Sequence, residues 1–321
     1  MSTLTLITLS YRSGALIERC LSALVAQEAA VIHADNGSDD LDLKALATRF
    51  PAVRQIAHGD NLGFARGMNL AAATATTQWI GFINPDAFIE PGWVAAMQEA
   101  IEAHPDVSIF TALQLSAENP LVMDGAGDAL TFFGFPYRAG IGHRVPHALR
   151  IAEVFAPCGA AFIIRRSLFE RLGGFDENFF CYCEDADLGF RARLIGERTL
   201  FVPQARTLHV GSASSGVRSD FALWHGYRNR LWLYIKSMPS PFLWISLPIH
   251  IGLTLLGAIK DTLKGRGGLP WRALAAALSG IGPILRARKN IQATRTITAL
   301  RLAKSLTWNP VRIARRETDF R

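Results

Sequence analysis

The order of the apolar segments between residues 3 and 113 narrows the fold more than any other feature. Residues 3–10 (TLTLITLS) are apolar and β-branched, as a buried strand requires. Ser13 then offers an N-cap ahead of Leu16, Ile17, Cys20, Leu21 and Leu24, which recur at helical spacing. Val31–Ala34 reads as a second strand, ending in the turn-forming Asp35-Asn36-Gly37-Ser38. A short helix near 41–49, a strand at 53–57, a Gly-containing loop and an Ala-rich helix near 67–76 follow. Strand Trp79–Ile83 stops at Asn84-Pro85-Asp86; a helix from Pro91 to about 103 and a strand at 107–113 complete the series. Strands alternating with helices predict a parallel sheet, and ligands collect at the C-terminal strand ends of such sheets. The polar clusters Ser10–Arg12, Asp35-Asn36 and Asn84–Asp86 all fall there.

Beyond this repeat the pattern loosens. Residues 116–150 are rich in Gly, Pro and aromatics without clear period, which predicts an irregular segment or a hairpin with loops. A strand at 160–165, a helix near 184–195 and a strand near 198–202 follow. From 221 onward the pattern is helical and increasingly apolar. A chain of 321 residues has ample length for a large α/β core.

Two nucleotide-binding classes are unsupported. No G-x-G-x-x-G follows residue 10, and no G-x-x-x-x-G-K-[ST] occurs anywhere. The first residues lack a positive stretch before a long apolar core, so they read as a strand and not as a secretory signal. Cys20, Cys158, Cys181 and Cys183 form no even framework, and Cys181-x-Cys183 has the wrong spacing for zinc; free thiols in a reducing compartment are expected.

Three places carry chemistry. Asp86 closes a buried strand, where a carboxylate is placed either to hold Mg²⁺ or Mn²⁺ beside substrate phosphates or to cap the next helix. Glu184, Asp185 and Asp187 sit at a helix start, where the dipole favours negative charge; they are N-terminal caps or, emerging from the apolar run 179–183, a general base. His209 lies beyond the strand at 198–202, in a loop rich in Gly and Ser, as a structural residue or a ligand.

Charge divides the chain. From Lys260 to the end there are 14 Lys and Arg against 3 Asp and Glu, which leaves the preceding residues at −4 within a net +7. Apolar residues separate the basic ones, which favours an anionic lipid surface and argues against nucleic acid. Pro241–Ile259 is apolar but barely reaches the roughly 20 residues a bilayer span takes, and Pro241 and Pro248 weaken it. Residues 270–316 mix Leu, Ile and Ala with spaced Arg and Lys, as an interfacial amphipathic helix does. Packing on the catalytic part, or homo-oligomer formation, would bury the same faces.

Taken in order, the motifs resemble family 2 glycosyltransferases, in their rhamnosyltransferase-like branch. They are Tyr11-Arg12-Ser13 with Cys20-Leu21, Asp35-Asn36-Gly37-Ser38, Asn61-Leu62-Gly63-Phe64-Ala65 with Asn69, and Asn84-Pro85-Asp86. Gly159-Ala160, Gly173-Gly174-Phe175-Asp176, Phe179 through Leu188, Pro203 and His209 continue the series, so the likeness covers roughly residues 3–215. It implies a GT-A fold: a Rossmann-like nucleotide-binding α/β domain with a mixed central sheet over residues 1–220, then a helical extension over 221–321. Residues to about 115 would bind the donor and 116–220 the acceptor.

By position, the resemblance gives Thr8, Tyr11 and Asp35 to the nucleoside, and Asn61, Arg66 and Asn84 to the donor site. Asp86 and His209 would hold Mn²⁺ or Mg²⁺, and Asp185, supported by Glu184, would deprotonate the acceptor hydroxyl. Asn84 stands where the wider superfamily has a first Asp, so a weaker, substrate-assisted metal site is expected. The implied reaction is inverting transfer of a sugar, rhamnose from dTDP-rhamnose or another from a UDP-sugar, to a glycan or polyprenyl-linked acceptor in cell-surface polysaccharide synthesis. The implied location is cytoplasmic, peripheral on the inner face of the plasma membrane. A sugar nucleotidyltransferase would want a Gly-rich, basic loop after the first strand, of which Arg12-Ser13-Gly14 is a poor version. A non-catalytic binding protein retaining the fold would have little use for Asp86, Asp185 and His209 together.

Overall fold

A computed structural model describes residues 3–211 and 219–321. Strand β1 (Leu4–Ser10) leads to α1 (Leu16–Val25), β2 (Ala30–Asp35), α2 (Leu43–Arg49), β3 (Val53–Ala57), α3 (Phe64–Ala72) and β4 (Trp79–Ile83). Next come β5 (Ala87–Ile89), α4 (Trp93–Ala103), β6 (Ile109–Ser116) and the short strands β7 (Met123–Gly125), β8 (Asp128–Leu130), β9 (Pro136–Arg138) and β10 (Ala152–Val154). β11 (Ala161–Arg165), α5 (Arg166–Arg171), α6 (Glu184–Leu194) and β12 (Thr199–His209) complete the α/β part. The rest is helical: α7 (Asp220–Ser237), α8 (Ser240–Asp261), α9 (Leu269–Ser279), α10 (Ile281–Thr294), α11 (Ala299–Ala303) and α12 (Pro310–Arg315).

The main sheet runs β10-β12-β6-β11-β4-β1-β2-β3, with β5 on β12 and β7 on β6. Strands β1 to β4 pair in parallel, as the alternation predicts. β11 inserts antiparallel between β4 and β6, so the sheet as a whole is mixed. Every residue of β1 is buried because helices cover both faces. Leu4 and Leu6 join Ile17, Leu21, Trp93 and Met97 in one core; Ile7 and Leu9 join Met68, Phe82, Phe162 and Leu188 in the other. The period of two along one strand thus feeds two cores.

Local readings differ at the start of α1 and at the end of β12. Ala15, not Ser13, precedes α1, and Ser13 instead gives its carbonyl to the Leu16 amide at 3.1 Å. β12 runs seven residues past the expected end at 202, because a bulge between Val202 and Arg206 absorbs Pro203 and lets pairing with β6 resume. His209 is therefore the last residue of a strand and not a loop residue. The unpatterned segment 116–150 contains the hairpin β8–β9, with Asp128 opposite Arg138.

Residues 270–316 are not one amphipathic helix but the four helices α9 to α12. Gly280 marks the first break, where a Cβ would lie 2.6 Å from the Trp232 ring. These helices pack inward: Leu231, Trp232 and Tyr234 of α7, with Ala277, Ile284 and Leu302, share a core with Leu130, Phe155, Phe179 and Phe190. The chain end returns to the sheet edge, where Arg321 and Glu153 exchange two backbone hydrogen bonds of 3.0 Å. Phe320 stacks on Phe201 at 5.1 Å.

Candidate active site

The polar clusters expected to meet the donor sit at the C-terminal ends of β1, β2 and β4. Asp35 is buried; one carboxylate oxygen accepts the Ser10 hydroxyl at 3.0 Å, and the other accepts the Gly37 and Ser38 amides at 3.1 and 3.0 Å. Behind it, His33 spans from Ser10 (2.7 Å) to Gln55 (2.5 Å). Asn36 interlocks this turn with the next loop, donating to Asn61 Oδ1 at 3.0 Å and accepting the Leu62 amide at 3.1 Å. Arg66 projects from α3, partly exposed, 3.9 Å from Glu177. Tyr11 lies beside Arg12, whose guanidinium is 5.4 Å from its ring centre. Thr8 is fully enclosed and accepts the Cys20 thiol, so it supports the end of β1 from within the core.

Asp86 and His209 are brought together by backbone pairing. β5 pairs antiparallel with the end of β12, His209 opposite Ala87, and the Val210 amide donates to the Asp86 carbonyl at 3.0 Å. The imidazole Nε2 then lies 3.3 Å from Asp86 Oδ1, with both side chains buried. Its Nδ1 donates to Asp124 Oδ2 at 2.6 Å, which fixes the ring and points Nε2 at Asp86. Arg138 holds the same Asp124 oxygen at 2.5 Å. Burial opposes a charged His209, but Asp124 and Asp86 outweigh it and raise its pKa. Burial likewise works to raise Asp124, yet His209 and Arg138 hold it below the usual carboxylate range.

These residues fit a divalent cation in part. An oriented imidazole nitrogen faces a carboxylate, and the buried Oδ1 of Asn84, two residues before Asp86 in the chain, has no hydrogen-bond partner. Among the described residues no group of three or more His, Cys, Asp and Glu side chains forms a ligand shell, so any ion here needs oxygens from elsewhere. Donor phosphates supply such oxygens to Mg²⁺-type ions.

Arg138 connects this pair to the second carboxylate site. Burial disfavours its charge, but Cys158, Asp124, Asp128 and Asp185 together raise its pKa. Asp185, in the first turn of α6, is half-buried; its Oδ2 accepts the Gly159 amide at 2.8 Å and its Oδ1 the Ala186 amide at 2.7 Å. Burial raises its pKa, partly countered by those amides and by Arg138. Glu184 is more deeply enclosed, and burial followed by the Asp185 charge pushes its carboxyl well above the usual range. The third acid of the run, Asp187, is fully buried against Arg191 at 2.7 Å and Lys236 at 2.7 Å. It ties helices together. The entry to α6 is strained: Phe180, Tyr182 and Cys183 have φ of 64°, 70° and 70°. Left-handed backbone in non-glycine residues costs of order 1–3 kcal/mol each and survives only where the surroundings impose it.

Asp124, Asp128 and Arg138 carry no signal of their own in the sequence, and Gly159, though in one of the family motifs, is given no role there. The first three fall in the unpatterned segment, and Gly159 matters because a Cβ there would lie 2.5 Å from Asp185 Oδ2.

A model described as glycosyl transferase family 2 matches residues 5–173, just over half of the chain. The chain belongs to that family. Among its relatives this glycosyltransferase is 29% identical over 241 residues to an N-acetylglucosaminyl-diphospho-decaprenol L-rhamnosyltransferase of Mycobacterium tuberculosis, covering 66% of this chain and 78% of the relative. It is 27% identical over 212 residues to the rhamnosyltransferase WbbL of Escherichia coli, covering 61% and 78%. In fold it is similar to a mannosyltransferase of Pyrobaculum calidifontis solved with GDP-Man and Mn²⁺, at a TM-score of 0.56 and 18% identity over 95% of this chain and 83% of that one. Staphylococcus aureus TarS gives a TM-score of 0.57 at 14% identity, over 91% of this chain and 52% of that one. The GT-A-like mixed sheet and the helical C-terminal region are thus those of a glycosyltransferase.

Proposed function

We propose that this glycosyltransferase transfers a sugar, rhamnose from dTDP-rhamnose ahead of a sugar from a UDP donor, with inversion, to a glycan or polyprenyl-linked acceptor in cell-surface polysaccharide synthesis. The observation that carries the reading is the oriented His209–Asp86 pair joined through Asp124 and Arg138 to a half-buried Asp185. Asp35, with Tyr11 at the end of β1, receives the nucleoside; Thr8 backs that surface. Asn61, Arg66 and Asn84 line the donor diphosphate side. Asp86 and His209 would hold Mn²⁺ or Mg²⁺, which when bound neutralises charge on the departing diphosphate. Asp185 takes the acceptor hydroxyl proton; that oxygen attacks the anomeric carbon from the far face, and the bond to the diphosphate oxygen breaks with its electron pair leaving on the diphosphate. Glu184 supports that base. Residues to about 115 serve the donor, 116–220 the acceptor, and 221–321 the surface on which the acceptor is met.

A thermal-shift series with dTDP-rhamnose and UDP-sugars, with and without Mn²⁺, tests the donor reading. Stabilisation by dTDP-rhamnose that grows with Mn²⁺ supports it; no response to any nucleotide sugar defeats it. Product recovered with retained anomeric configuration would defeat inversion.

The relatives' names and helix α8 support a lipid-side location. Ser240–Arg266 is long and apolar enough to cross a membrane by length and composition, and only 28% of its apolar window is buried. Helix α8 turns Leu243, Ser246, His250, Thr254 and Ala258 inward and leaves Trp244, Ile245, Ile249, Leu255, Leu256 and Ile259 exposed. Soluble surfaces rarely carry so continuous an apolar face. Lys260 and Lys264 follow it, exposed, where headgroups would lie. Because one stripe of α8 packs on the protein, the reading is a helix lying in the interface of an anionic leaflet. Sedimentation with phosphatidylglycerol vesicles at low salt is expected; a protein that stays in the supernatant ends this part.

A further inference from the structure

Between Phe179 and Glu184 three non-glycine residues, Phe180, Tyr182 and Cys183, are left-handed, and of their carbonyls Phe180 and Cys183 accept backbone amides, from Ala65 at 3.1 Å and Asp187 at 2.9 Å. The Phe179, Cys181 and Tyr182 carbonyls instead converge on one side chain. Asn229 of α7, completely buried, directs its Nδ2 at the carbonyls of Phe179 (2.9 Å), Cys181 (2.8 Å) and Tyr182 (2.8 Å). Its Oδ1 accepts Arg228 Nε at 2.8 Å, and Arg228 also donates to the Phe179 carbonyl at 2.8 Å. The orientation of the amide is thereby fixed, since a flipped amide would set its oxygen against three carbonyls. His225, one turn earlier, stacks on the Phe180 ring at 5.6 Å. Phe180 in turn gives its carbonyl to the Ala65 amide at 3.1 Å, and Gly63 touches its ring so closely that a Cβ would lie 2.5 Å away. The strained run is thus held between α7 and the donor-side loop, and it delivers Asp185 to the Gly159 amide.

We infer that Asn229 is a positioning residue for Asp185: the helical C-terminal region completes the active site by imposing, through this one amide, the backbone that sets the base. The inference rests on the base role given to Asp185 above. It differs from a packing role because the amide's two hydrogens are spent on the backbone of the loop, while its neighbours Leu231 to Tyr234 make the apolar contact.

The test uses the full chain with Asn229→Ala, Asn229→Ser and Arg228→Lys. Three measurements are made: transfer with dTDP-rhamnose as donor, donor KM, and hydrogen exchange of peptides covering 156–162 and 180–188. For Asn229→Ala, kcat is expected to fall about 100-fold, as a misplacement of order 1 Å can produce. Donor KM should stay within twofold, and exchange should accelerate at Gly159 and in 180–188 alone. Asn229→Ser keeps one donor and should recover part of the loss. Arg228→Lys keeps the charge but not the fork that reaches both Asn229 Oδ1 and the Phe179 carbonyl; it should give the same pattern more weakly and covers the case in which Asn229→Ala does not fold. In an Asp185→Asn background Asn229→Ser should cost nothing further. Turnover within twofold of the parent, loss in parallel with donor KM, or full additivity with Asp185→Asn overturns the inference. A parent protein inactive on every sugar nucleotide defeats the function proposed above, whereas unchanged exchange in 156–162 and 180–188 defeats the clamp alone.

Discussion

Asp86 is fixed by sheet pairing, whereas Asp185 is fixed by single hydrogen bonds. On the first side, β5 lies on β12, the Asn84 amide donates to Ala160, and Val210 donates to Asp86, so the ladder itself places carboxylate against imidazole. On the second, a strained run enters α6 and the carboxylate finds one amide of its own helix and one from Gly159. Ladder bonds are many and share the load; a lone amide contact has no substitute. The side proposed to carry the base should therefore be the fragile one, losing turnover to changes that leave the fold intact.

The largest expected effect comes from Asp185→Asn. A positioned general base contributes roughly 10²–10⁴-fold, and kcat for transfer should fall by that order. Dissociation of dTDP-rhamnose, followed by thermal shift, should move less than threefold. A parallel loss of donor affinity would put Asp185 on the donor side and erase the contrast. Gly159→Ala comes next. The added Cβ needs the space now held by Asp185 Oδ2, 2.5 Å away, so the carboxylate must move. A fall of about 10²-fold in kcat is expected from such a displacement, with donor KM unchanged. Wild-type turnover would mean the base side has slack.

On the ladder side, Asp124→Asn replaces the carboxylate that orients His209 by a neutral, weaker acceptor but changes no backbone group of the strand pairs. Outer-shell partners of this kind are worth about 10–100-fold in metal affinity. The Mn²⁺ needed for half-maximal stabilisation by dTDP-rhamnose should rise by that factor, while the melting temperature of the free protein stays close to the parent's. A large drop in that temperature would show that the ladder depends on the polar cluster and not the reverse.

This division also explains what could be read from the residues alone. Apolar alternation reports burial, so β1 to β4, the helices between them and the polar strand ends were legible. The two acids and the histidine were singled out by residue type and order. The reach of β12 was hidden by Pro203, whose effect depends on a bulge that only the partner strand reveals. Asp124 and Arg138 act through cross-strand and loop contacts in a segment with no period, so nothing local marks them. Asn229 reads as one more polar residue between Arg228 and Arg230; its three acceptors are 47 to 50 residues away. The tail's basic and apolar mixture was visible, but its division among four packed helices was not, because a helix that buries two faces in turn resembles one that buries a single face against lipid.

The smallest effect expected is that of Glu184→Gln, and it sharpens the contrast between the two adjacent acids. Burial, then the charge of Asp185, pushes Glu184 well above its usual range, so the fold favours the neutral acid there. Gln copies a neutral acid in shape, and kcat at neutral pH should stay within about threefold. Asp185 is raised too, mainly by burial, but the Gly159 and Ala186 amides and Arg138 support its ionised form. The active base is the deprotonated one, so the rate should fall as pH drops through a value above the ordinary carboxylate range of about 4. If Glu184 is neutral, replacing it removes no charge beside Asp185, and the acid limb of the Gln variant should overlay the parent's. Were Glu184 ionised, its removal would relieve repulsion, lower the Asp185 pKa and carry that limb to lower pH. An acid-ward displacement of the limb would therefore show two charges sharing the base site where the structure favours one.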